Sequence, residues 1–271
     1  MKKFQFVLWF AIVLCLLTCN CALFGAQIET GEDYKPYSGQ QGKDVVWVPT
    51  QQELVDTMLN MAKVTSSDYV VDLGSGDGRT VIAAAKRGAT ALGIEYNPDM
   101  VALSKREAIK EGVSAKATFI EADLFETDFS KATVVTMFLL TDINLKLRPK
   151  ILDMKPGTRI VSNTFDMGDW RPDQVTTLKE GCVSWCVANF WIVPAKVNGT
   201  WKIDNGEIQF DQTYQNITGT MTVSGKSQEF SGKLEGDKIS FTVGSVEYTG
   251  TVSGNTISGK RTGGASWKAA R

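Results

Sequence analysis

The run Tyr69-Val70-Val71-Asp72-Leu73-Gly74-Ser75-Gly76-Asp77-Gly78-Arg79 constrains this chain more than any other stretch. It reads as a buried strand, then a glycine-rich turn, then a helix opening near Thr80. Glycines in such a turn let the backbone take positive φ and leave no Cβ in a ligand's way. Around it, strand-like runs (Tyr69 to Leu73, Ala89 to Glu95, Ala117 to Ile120, Thr133 to Leu139, Thr158 to Phe165) alternate with helical ones (Gln51 to Lys63, Thr80 to Lys86, Pro98 to Glu111, Leu145 to Met154). That alternation predicts an α/β fold: a doubly wound, mostly parallel, Rossmann-like sheet with helices on both faces.

The pattern stops near Pro194. All seven prolines fall at or before that residue, whereas 12 of the 25 glycines lie in residues 196 to 271, a stretch with one leucine. Short alternating runs such as ITGTMTVSG, DKISFTVG and VEYTGTVSG recur there at roughly ten-residue spacing, which predicts a small all-β antiparallel meander of about eight strands, enough to close into a barrel. Trp201 and Trp267, near its ends, are expected to fill its core, making it a structural cap rather than a ligand-holding barrel. The expected organisation is a signal peptide or membrane anchor at 1–26, a linker at 27–44, the α/β domain at 45–194 and the β domain at 195–271. The two cores are expected to be separate, with a protease-accessible junction at Ala195 to Asn198.

Composition removes several function classes. The chain has no histidine, so no imidazole base, Ser-His-Asp triad or His-ligated metal can operate, and no metal site is expected. Lysine and arginine total 29 against 30 acidic residues, with no basic cluster, which argues against a nucleic-acid partner. Beyond residue 21 only Cys182 and Cys186 remain; without a second pair they read as small core residues.

Residues 1–26 (MKKFQFVLWFAIVLCLLTCNCALFGA) have two lysines, an apolar run and small residues, the layout of a secretory signal. Uncleaved, the stretch is long enough to span a bilayer, so membrane association through this segment is the alternative. The expected location is the cell envelope, exported or membrane-anchored, with the cytoplasmic face of the membrane as the other placement.

The glycine spacing is G-x-G-x-G, and Arg79 stands where a dinucleotide fingerprint would have its third glycine. A tight turn of this kind suits a nucleoside with an amino-acid tail, which points to S-adenosylmethionine. Glu95 ends the next strand-like run 17 residues after Gly78, where a carboxylate can accept from both ribose hydroxyls. Asp123 ends the third strand and can accept from an adenine amino group, with Leu124 beside the ring.

On these motifs the chain resembles class I methyltransferases over residues 45 to 195. VPTQQELVDTMLNMAKV, preceding DLGSGDGRTVIAAAKRGATALGIE, resembles more narrowly the lysine methyltransferases that modify the c subunit of mitochondrial ATP synthase, and their bacterial relatives. The resemblance implies that Asp72, Gly74, Ser75, Gly76 and Gly78 hold the methionine end, Glu95 the ribose, Asp123 and Leu124 the adenine, and that Pro49 and Thr50 close over the cofactor. Asn163 stands where relatives are expected to carry histidine. The acceptor, a protein side chain such as lysine or a small molecule, is expected near Phe138, Asn144, Asp166 and Trp170. Two rivals stand beside this reading: a nicotinamide-dependent oxidoreductase, and a non-catalytic envelope binding module with a retained methyltransferase fold.

Overall fold

The computed structural model describes residues 34–271, so the apolar segment expected at 1–26 lies outside the described residues. Among the described residues no helix is long and apolar enough to cross a membrane.

The α/β part is built on a seven-stranded sheet: β1 (Tyr69–Leu73), β2 (Thr90–Glu95), β3 (Ala117–Glu121), β4 (Val134–Met137), β5 (Arg159–Asn163), β6 (Gln174–Thr177) and β7 (Val187–Ile192), in the order β3-β2-β1-β4-β5-β7-β6. β1 to β5 are parallel, β7 runs antiparallel to β5, and β6 antiparallel to β7. The helices are α1 (Gln52–Met61), α2 (Arg79–Lys86), α3 (Pro98–Lys110) and α4 (Thr141–Leu152). Consecutive strand residues point to opposite faces, so each apolar strand feeds two cores. Val70 joins the layer beneath α1, α2 and α3, with Leu54, Val81 and Val101, while Val71 joins the layer beneath α4, with Ile143, Leu147 and Ile151. The four-residue spacing of those α4 residues matches a helical face, and the helix starts at Thr141, earlier than the expected Leu145. Asn97 caps α3 by accepting from the amides of Asp99 and Met100, with Pro98 preset for the first turn.

Residues 199–270 form the closed eight-stranded antiparallel barrel: β8 (Gly199–Ile203), β9 (Gly206–Thr213), β10 (Asn216–Val223), β11 (Lys226–Glu235), β12 (Lys238–Val243), β13 (Val246–Ser253), β14 (Thr256–Arg261) and β15 (Ser266–Ala270). Two-residue turns that place Asn205, Gly225, Gly236, Gly244 and Gly254 at positive φ force each strand back beside its predecessor. The interior is filled by side chains. Trp201 and Phe210 are fully buried, Phe230 and Phe241 lie with ring centroids 4.8 Å apart, and Trp267 packs edge-on to Phe241 at 5.6 Å.

The junction differs from expectation. Ala195 and Val197 are 2% and 0% exposed, and the Ala195 amide donates to the Gly236 carbonyl at 2.8 Å, so the connector is packed rather than open. Gly236, at φ +60°, lies so close to the α/β part that a Cβ would stand 2.9 Å from the Gly157 Cα. The Tyr214 ring stacks on Trp170 at 5.9 Å, and Gln215 donates to the Arg171 carbonyl at 2.8 Å. Gly157 precedes β5, so the barrel docks at the end of the sheet opposite the glycine turn.

Gly236→Val is expected to lower stability by about 2 to 4 kcal/mol, because it combines a strained φ with a backbone clash. Trypsin should cut the wild-type chain slowly at Lys196 and the variant quickly, as followed by gel and thermal melts; equal cleavage would show that the junction is open in both.

Candidate active site

The turn after β1 takes the conformation its glycines allow, with Gly74, Gly76 and Gly78 at φ +74°, +53° and +81°. The amides of Gly74 and Ser75 donate to the Ile94 carbonyl, pinning the turn to the end of β2. Glu95, the last residue of β2, then accepts from the Gly76 amide and the Asn97 amide, both at 2.9 Å, so one carboxylate holds the turn and the start of α3 together. The Ser104 hydroxyl donates to the Gly76 carbonyl at 3.0 Å from α3. Asp77 binds Arg79 through both carboxylate oxygens, Arg79 donates to the Thr50 carbonyl at 2.8 Å, and the Asn163 amide donates to the Thr50 hydroxyl at 3.1 Å. That chain of contacts ties the turn to residue 50 and to the end of β5.

Asp72 is buried and accepts from the Thr136 hydroxyl at 2.6 Å. Burial pushes its carboxyl up to about 7 despite that hydrogen bond, and the charges of Glu95 and Asp77 push the same way.

The stretch expected as a linker is folded from Pro36 onward and closes the cleft. Its ends pair where the Gly39 amide donates to the Trp47 carbonyl and the Trp47 amide to the Gln40 carbonyl, at 2.8 and 2.9 Å. The Trp47 indole lies over Gly76, where a Cβ would meet its Nε1 at 2.4 Å. Lys43 sits 4.7 Å above the Tyr96 ring and forms an ion pair with Asp123, whose carboxyl the Lys43 hydrogen bond holds below the usual range. Asp123 also accepts from the Phe125 amide at 2.8 Å.

One cleft thus gathers Thr50, Asp72, Gly74, Ser75, Gly76, Glu95, Asp123 and Leu124. Gly78 does not line it. As the N-cap of α2 it faces Phe119 and Ser104, where a Cβ would come within 2.8 Å, so its role is packing. Among the acceptor candidates, Phe138 lines the cleft. Asn144 is buried and donates to the Phe165 and Asp166 carbonyls at 3.2 and 3.1 Å, bracing the loop after β5. Asp166 caps that loop by accepting from the Gly168 amide at 3.1 Å. Trp170 is fully buried against Trp191 and Tyr214 beneath the barrel and cannot face an acceptor in the cleft. Cys182 and Cys186 are half-buried and joined by a disulfide, which corrects their reading as core residues: they close the loop between β6 and β7, outside either core.

Sequence reasoning missed Lys43, Trp47, Tyr96, Phe165 and Trp185. Only Trp185 had a local signal, its place between two cysteines four residues apart.

The cleft suits a cationic nucleoside ligand. Five carboxylates, Asp44, Asp72, Asp77, Glu95 and Asp123, line it against two cations, Lys43 and Arg79, and among the described residues the buried Ser75 hydroxyl has no hydrogen-bond partner, a polar group able to meet a ligand. Comparison with known proteins agrees. The family model "ANTKMT methyltransferase domain" matches residues 72–174. A protein-lysine N-methyltransferase of Saccharolobus islandicus is 44% identical over 140 residues, 51% of this chain and 87% of that protein. The human lysine N-methyltransferase named for the c subunit of ATP synthase is 37% identical over 48% of this chain and 56% of its own length. The crystal structure of an RNA methyltransferase from Salinibacter ruber in complex with S-adenosyl-L-homocysteine shares 43% identity and a TM-score of 0.52, covering 55% of this chain and 96% of that one. These likenesses to methyltransferases set aside the oxidoreductase reading.

Two outcomes are expected in calorimetry. Glu95→Ala should weaken S-adenosylhomocysteine binding by roughly 1.5 to 3 kcal/mol, the scale of hydrogen bonds to a charged group. Because the folded carboxyl of Asp72 titrates above its ordinary value of 3.8, its contribution to stability is present below that value and is lost as pH rises through about 7. A cationic ligand favours the ionised form, so S-adenosylmethionine should bind more tightly as pH climbs through that range. Asp72→Asn should flatten the dependence; an unchanged slope would remove Asp72 from the ligand's environment.

Proposed function

We propose that this chain, which belongs to the family of S-adenosylmethionine-dependent methyltransferases typified by the ANTKMT domain, transfers its methyl group to a lysine side chain of a protein. The observation that carries the lysine assignment is the apolar wall facing the cofactor cleft, Met137, Phe138, Leu139 and Ile143, with no histidine or metal-ligand cluster beside it among the described residues. Lysine arrives as an ammonium, and a dry pocket favours its neutral form by withholding solvation from the charge. When bound, the cofactor would supply a methyl carbon on a sulfonium for the neutral amine to accept, with S-adenosylhomocysteine as the leaving group. The chain's part is positioning. Gly76 and Glu95 set the floor of the cleft, Thr50 and Trp47 its cover, and Phe138 the acceptor side. Two of the relatives are named as lysine methyltransferases, which supports the same acceptor.

We also infer a cell-envelope location, exported or held by the N-terminal segment, with the cytoplasmic face of the membrane as the other placement. The apolar run within residues 1–26 supports this, and so does the Cys182–Cys186 disulfide, since such bonds persist in oxidising compartments.

The test is incubation of the full chain with methyl-labelled S-adenosylmethionine and a cell-envelope fraction, then acid hydrolysis of the protein. Methyllysine is the expected product, and its rate of formation should climb from about pH 7 toward about pH 9 with no plateau near an imidazole pKa of about 6.5. Label recovered in RNA, as methanol released from carboxyl methyl esters, or as the thioether S-methylcysteine would overturn the lysine assignment.

A further inference from the structure

We propose that Trp185, held by the Cys182–Cys186 disulfide, is a wall of the acceptor channel and sets how tightly the lysine-bearing segment is captured. The inference rests on the lysine reading above.

β7 runs antiparallel to β5, with Ala188 opposite Asn163, so the loop that enters β7 returns to the end of the sheet that carries the cofactor cleft. Within this loop the Trp185 ring meets Phe165 at 5.4 Å between centroids and Phe138 at 6.2 Å, and those two rings stack at 6.0 Å. Phe138 lines the cleft, so the three aromatics extend its apolar wall outward. Trp185 is 45% exposed, a large apolar surface left open at that rim, and Val183 beside it is 94% exposed.

The backbone holds this ring at a cost. Trp185 sits at φ +58° and Thr164, next to Phe165, at φ +59°, a region that non-glycine residues rarely enter and that persists only where surroundings enforce it. The enforcement is visible. The disulfide closes the ring of residues 182–186, the Leu178 amide donates to the Cys186 carbonyl at 2.9 Å, and the Val183 amide donates to the Gln51 side chain at 3.3 Å, next to Thr50 of the cleft's cover. A lysine stem is four methylenes ending in an amine, so a channel mouth walled by aromatic rings receives the stem while the amine reaches past it.

The experiment uses the full oxidised chain, methyl-labelled S-adenosylmethionine and the blocked peptide acetyl-Ala-Leu-Lys-Leu-Ala-amide. Trp185→Ala should raise the peptide KM about tenfold while kcat and the Kd for S-adenosylhomocysteine stay within about twofold, and Trp185→Phe should recover most of the loss. Dithiothreitol, which takes the disulfide to two thiols and leaves as its own cyclic disulfide, should raise KM in the wild type and add little in Trp185→Ala. The paired Cys182→Ser, Cys186→Ser variant should match the reduced wild type. An unchanged KM in Trp185→Ala, with the wild type active, would overturn this inference alone. A parallel loss of S-adenosylhomocysteine affinity would show general loosening instead, and also overturns it. A wild type that binds S-adenosylhomocysteine but methylates lysine in neither peptide nor envelope protein would overturn the lysine reading and the inference together.

Discussion

Glu95 receives two backbone amides, from Gly76 and Asn97, and on that pair of hydrogen bonds the rest of the site depends. The Gly76 bond draws the turn after β1 toward β2, and the Asn97 bond fixes where α3 begins. With the turn in place, Ser104 can reach back from α3 to the Gly76 carbonyl, and Trp47 can lie on a residue with no Cβ. A neutral side chain at position 95 would leave two amide donors short of a charged acceptor, so its removal is felt by both loop and ligand. Burial first, and then the like charges of Glu95 and Asp77, make Asp72 hold its proton to near neutrality.

Two long-range closures turn that cleft into a site. On the cofactor side, Lys43 crosses from the folded strap to Asp123 and rests on Tyr96, so the acid expected to meet adenine already has a cation partner. Beyond Phe138, the loop between β6 and β7 returns an aromatic ring to Phe138 and Phe165. The two meet near Thr50, whose carbonyl and hydroxyl are held by Arg79 and Asn163, and whose neighbour Gln51 accepts from Val183. The folded strap and the loop between β6 and β7 are therefore linked through residues 50 and 51.

The barrel stands apart from this chemistry. Its interior is packed with aromatic and branched side chains, and it meets the α/β part at Gly157, Trp170 and Arg171, at the opposite end of the sheet from the glycine turn. Burying Trp170 under Tyr214 makes that residue part of the interface core. It also explains why an aromatic that follows β5 in the sequence is absent from the cleft.

Much of the fold was legible because its signals are local. Strand alternation, helical periodicity, glycine spacing and two-residue turns all act within a few residues, so the doubly wound sheet, the eight-stranded meander and the acid ending β2 could be read from the chain directly. Other features depend on where distant segments meet. Lys43 lies 80 residues from Asp123, so no local pattern announces that ion pair. Trp170 and Trp185 are each an aromatic near a strand end, and packing sends one beneath the barrel and the other to the rim of the cleft. Gly78 shares its motif with Gly76, yet neighbours contributed by β3 and α3 make it a packing residue. The sequence by itself determined the layers and the edge of the sheet where a ligand binds, because backbone geometry sets those. Tertiary structure alone decided which side chains reach that edge, because that follows from the closure of loops joined through contacts far apart along the chain.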